Sequence, residues 1–144
     1  MDVKRFGITA IDEPDGGLVA ALINHEWFGD NYATGPEPGG DPDRHGPYWR
    51  ERITPDCYDP IDPELAERRL RFWSEQFAPV PEHLTAELRQ EVYQPLRAAD
   101  GIYLLRDIGP DAFHDWGGVH NEFHEFLLVD RTNQTVVQIV AADD

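Results

Sequence analysis

The stretch HDWGGVHNEFHEF, residues 114–126, gathers the side chains of this sequence best suited to chemistry. It holds His114, His120 and His124, three of the six histidines, with Asp115, Trp116, Glu122 and Glu125. Imidazole beside carboxylate suits two kinds of reaction. A His/Glu pair moves protons near neutral pH, because the imidazole changes charge there. Two histidines and a carboxylate also form a ligand set for a divalent transition metal, such as zinc, iron or manganese, that keeps an open position.

Which of these side chains share a face follows from the strands around them. FLLVD at 126–130 and TVVQIVA at 135–141 flank RTNQ, a four-residue turn of ordinary hairpin length. If residues 131–134 turn, Asp130 faces Thr135, Leu128 faces Val137, Phe126 faces Ile139, His124 faces Ala141 and Glu122 faces Asp143. Alternation puts these pairs on one face, apolar near the turn and polar toward the chain end. His120, Glu122, His124 and Asp143 are therefore the expected metal set, and His120, Glu122 and His124 the expected catalytic residues. Glu125 points away. His114 joins the cluster only if the chain folds back beyond Gly117-Gly118, and Trp116 either walls the pocket or plugs the core, with the plug favoured. His25 and Glu26, in HEWFGDNY, contribute if an N-terminal hairpin lies beside the C-terminal one. Histidines at a strand end also commonly bond to neighbouring backbone, and a one-residue slip of register would exchange every face.

Other chemistries find less support. HNEFH spaces two histidines as the HExxH zinc-protease helix does, but Asn121 stands where that motif needs glutamate, and strand-like FLLV follows. Neither GxxxxGK[ST] nor GxGxxG occurs. Cys57 lies among acids in PDCYDP, which disfavour a thiolate nucleophile. Ser74 is the sole serine and falls within a helical stretch.

The elements that must position the site read as strands, helices, strands. Residues 3–11 have strand character, EPDGG at 13–17 is turn chemistry, and LVAALI at 18–23 reads as a second strand or the opening of a helix. From about 29 to 62 the chain is rich in proline and glycine, including Pro36, Pro38, Pro42, Pro47, Pro55 and Pro60, so a long loop is expected, with Tyr48, Trp49 and Tyr58 packing back. Asp62-Pro63 is an N-cap followed by a first-turn proline. Ala66, Leu70, Trp73 and Phe77 then recur at helical spacing, and Pro79 and Pro81 stop the helix. Leu84, Leu88, Val92 and Leu96 mark a second helix that Pro95 should kink or end near Tyr93. IYLLRDI at 102–108 is a further strand. The expected fold is α+β: one domain over 1–144, an antiparallel sheet of about four to five strands, and a helical hairpin packed on one face.

Composition bounds the function. Twenty-eight acidic against twelve basic residues give a formal charge of −16. That field repels nucleic acid and anionic lipid and suits either a simply soluble surface or a basic protein partner. One cysteine excludes an internal disulfide, and no apolar run approaches the ~20 residues of a membrane span, so a soluble cytoplasmic protein is expected. Two functions follow. One is a domain binding a polar small molecule or metal ion in a His/carboxylate pocket under the 29–62 loop, acting by acid–base or metal-assisted chemistry. The other is an acidic interaction domain, of inhibitor or immunity type, that neutralises a basic partner.

Overall fold

The computed structural model describes residues 1–10, 12–33 and 40–143. Its centre is a five-stranded antiparallel sheet formed by β1 (Asp2–Gly7), β4 (Tyr58–Pro60), β5 (Gly101–Leu105), β6 (Glu122–Asp130) and β7 (Thr135–Asp143), in the order β1-β7-β6-β5-β4. The β6–β7 hairpin has the register counted from the sequence, from Asp130 opposite Thr135 to Glu122 opposite Asp143. Gln134 closes its turn at φ 54°, in the left-handed region.

The apolar runs of β6 and β7 are buried on both faces, as strands covered on each side must be. On one face Phe126, Leu128, Val137, Ile139 and Ala141 pack with Ala66, Leu70, Val92 and Leu96. These last four come from α2 (Pro63–Glu75), α4 (Gln94–Ala98) and the turn between α3 (Glu82–Leu88) and α4. Asp62 caps α2 by accepting from the Glu64 and Leu65 N–H groups, with Pro63 at the first helical position. Before Pro95 the helix widens into a π turn over Arg89–Tyr93 and then resumes. That widening is how a proline unable to donate is taken into a continuing helix.

On the other face Leu127, Val129 and Val136 pack with α1 (Asp15–Ile23) and with Phe28, Tyr48, Ile53 and Tyr58. LVAALI is thus helical, and among the described residues no N-terminal hairpin forms. Pro14 starts the helix, and Leu18, Val19, Leu22 and Ile23 are buried at the spacing of one helical face. β1 pairs with β7 along its whole length instead. It forms one border of the sheet, where Lys4 reaches Asp30 at 3.0 Å over one face and Arg5 reaches Glu91 over the other. The short β4, ending at Pro60, forms the opposite border.

The proline- and glycine-rich segment is more than a cover. Part of the expected loop, residues 34–39, lies outside the described residues. The remainder carries a small hairpin, β2 (Arg44–His45) with β3 (Tyr48–Trp49), two 3-10 turns, and β4 itself. His45, Tyr48, Ile53 and Tyr58 are all buried. Gly46, between β2 and β3, has φ 51°, and a Cβ there would come within 2.3 Å of the Phe123 ring. Only glycine fits that turn.

Candidate functional site

The hairpin brings part of the expected cluster together. His124 Nε2 lies 3.1 Å from Glu122 Oε2, both side chains about a third exposed. Asp143 is opposite Glu122, but its Oδ1 accepts the Glu122 backbone N–H at 2.8 Å. It caps the strand end. His120 goes elsewhere. The chain bends at Asn121 before β6 begins, so the alternation that fixes His124 does not extend to His120. Its ring turns to the opposite face, edge-on to Phe123, and Nε2 donates to the Asn31 carbonyl at 2.8 Å. Among the described residues no group of three or more His, Cys, Asp or Glu side chains is arranged to hold a metal ion.

The remaining expected residues have local roles. His114 is buried: Nε2 donates to the Gly46 carbonyl at 2.8 Å and Nδ1 accepts the Trp116 N–H at 2.9 Å. This ties the 114–116 corner to the β2–β3 turn. Trp116 does not plug the core; it is 46% exposed and lies against Arg44, whose guanidinium also pairs with Asp115. His25 and Glu26 are exposed, with the His25 ring against Phe6 and its Nδ1 accepting the Trp27 N–H.

The most concentrated polar group is one the sequence reading set aside. Glu125, on the face opposite Glu122, is wholly buried and bonded to three side chains. Oε2 meets His45 Nε2, while Oε1 accepts from Tyr58 at 2.8 Å and from Gln138 Nε2 at 3.1 Å. His45 donates from Nδ1 to the Phe28 carbonyl at 2.8 Å and stacks on the Phe28 ring, with centroids 3.9 Å apart. Burial alone would push the Glu125 carboxyl up, but His45, Tyr58 and Gln138 outweigh it and hold the group below its ordinary value. Burial, and then the Glu125 charge, push the Tyr58 hydroxyl well up, so it stays a donor. Both ring nitrogens of His45 face acceptors, the Phe28 carbonyl on one side and the Glu125 carboxylate on the other. No part of the pair is reachable from solvent, so its work is to bolt the proline-rich segment onto β6.

Two surface features bear on function. A cleft of about 190 Å³ opens between the end of β5 and the start of β6, with Tyr48, Asp107, Phe113, His120 and Phe123 among its walls. A larger groove of about 520 Å³ runs between β1, the end of α2 and α3. Its lining is mostly apolar, including Val3, Trp73, Phe77, Val80, Leu84 and Leu88, with Glu87 and Glu91 the acidic members. Phe77 is 85% exposed beside it, and Leu84 is 39% exposed.

The fold and site therefore describe an α+β domain with a sealed polar bolt, a small polar cleft and an open apolar groove. No family model matches the chain, and no curated protein matches it. The crystal structure of citrus MAF1 is similar over 97% of this chain and 84% of that one, at a TM-score of 0.47 and 9% identity. A likeness of that depth says nothing of function. No helix among the described residues is long and apolar enough to cross a membrane.

Proposed function

We propose that this protein is an acidic protein-interaction domain, of inhibitor or immunity type, whose partner is a basic protein presenting apolar side chains. The groove beside Phe77 carries the reading. A large aromatic left 85% exposed next to an apolar channel is a common mark of a protein-binding surface. The charge of −16 supplies the complement: it draws in a basic partner and speeds encounter, while the groove provides the contact that holds it. The cytoplasm belongs to the same reading, since the lone Cys57 is free.

A synthetic helical peptide with leucine on one face and lysine on the other tests this, its binding followed by tryptophan fluorescence. Saturable binding that weakens as salt rises is expected, and Phe77→Asp should weaken it roughly 30-fold or more, as loss of an anchoring contact does. Equal binding by Phe77→Asp, or none by the native chain, overturns the proposal. Sedimentation of the native chain alone covers a different occupant: a dimer dispersed by Phe77→Asp would give the groove to a second copy of the chain and overturn the basic-partner reading.

A further inference from the structure

The cleft around His120 goes beyond that reading, because its lining calls for a ligand and not for a protein surface. His120 donates from Nε2 to the Asn31 carbonyl, so in the neutral ring Nδ1 is the acceptor. That Nδ1 is buried and has no partner among the described residues. A buried acceptor left unpaired costs free energy that an incoming donor recovers. On the lining of the same cleft, Asp107 Oδ1 accepts from the Gly109 N–H at 2.9 Å and from the Tyr48 hydroxyl at 3.3 Å, leaving Oδ2 for a further donor. Burial, and then Asp107, push the Tyr48 hydroxyl up to about 12, so it remains protonated and committed to Asp107. Among the described residues Arg106 is the one Lys or Arg on the lining, and its guanidinium is drawn to the Asp56 carbonyl and to Asp59. Phe113 and Phe123 give the wall its aromatic part, and Pro47, Leu105, Gly117 and Asn121 complete it.

We propose that this cleft binds a small organic cation rich in N–H donors, a guanidinium or a primary ammonium. Two acceptors, His120 Nδ1 and the Asp107 carboxylate, take its hydrogen bonds, and the aromatic walls face its positive charge. The acidic surface raises the local concentration of such a cation. About 190 Å³ limits the ligand to a few carbons beyond its charged head. Because Nδ1 is covered in the free chain, the ligand reaches it by parting the cleft wall.

Ethylguanidinium is the probe, titrated while the ring nitrogens of His120 are followed by long-range nitrogen NMR. The free lone pair of Nδ1 gives a distinct signal that should move saturably as it accepts a hydrogen bond. Asp107→Asn keeps the cleft's shape and should weaken binding about tenfold, the cost of losing a charge-assisted hydrogen bond. His120→Ala should do likewise, with its fold checked by circular dichroism. Phe77→Asp should leave this binding unchanged, which separates the cleft from the groove. The proposal is overturned if Nδ1 does not move, if Asp107→Asn binds equally, or if propionate or the donor-free tetramethylammonium gives the same response.

Discussion

Glu122 and Glu125 stand on the same strand, each beside a histidine, and the two pairs differ in almost everything else. Glu122 meets His124 near the open end of the hairpin with their side chains 37% and 30% exposed, whereas Glu125 meets His45 with neither exposed at all. The pair visible in the sequence as a motif is the one that water screens; such contacts contribute at most ~1 kcal/mol. The sealed pair joins residues far apart in the chain and is the one whose breakage leaves a charge buried. Proximity of reactive types in a sequence is thus a poor guide to which contact a fold depends on.

The contrast is broken most severely by Glu125→Gln. It removes the carboxylate that His45 meets in a site closed to water, and urea unfolding should show a loss of about 3–5 kcal/mol. Pairing Glu125→Leu with His45→Phe should recover part of that loss, since no charge is then left unmatched, although Tyr58 and Gln138 lose their acceptor. If the double variant is no more stable than the single one, the bolt works through shape and not through charge.

Acid sharpens the same difference. Glu125 has its folded carboxyl below the ordinary value of 4.5, so the unfolded chain binds more protons in the window between the two. Its contribution is therefore complete above that ordinary value and is lost as pH falls through the folded one. Denaturation midpoints measured at descending pH should drop in this window, and Glu125→Gln should flatten the drop. The smallest effect belongs to Glu122→Gln, expected to change stability by less than ~1 kcal/mol. A larger loss in the same urea assay would mean that the exposed pair carries part of the fold.

Much of the architecture was legible because it is written locally. The turn after Asp130 sets the β6–β7 register, Asp62-Pro63 starts α2, and Pro95 marks the π turn that precedes it. LVAALI was ambiguous because six apolar residues satisfy a strand and a helix alike, and only packing beneath the sheet decides. His120 was assigned to the wrong face because alternation was carried back through a bend at Asn121. The bolt was hidden for another reason: no local pattern links His45 to a glutamate 80 residues away. Half a signal existed, since Gln138 interrupts the apolar run of β7, and a polar residue there needs a buried partner.

The borders of the sheet have a bearing on how this chain meets others. An unprotected outer strand invites foreign backbone to extend the ladder, the first step toward fibrils and swapped dimers. Here β4 is too short to serve as a template and ends in Pro60, which has no N–H to offer. Along β1, Lys4 and Arg5 lean to opposite sides and are tethered to Asp30 and Glu91, guarding that margin with charge. Strand-by-strand growth is therefore discouraged at both ends, and association is left to side-chain surfaces, where a neighbour must match shape and charge to be admitted.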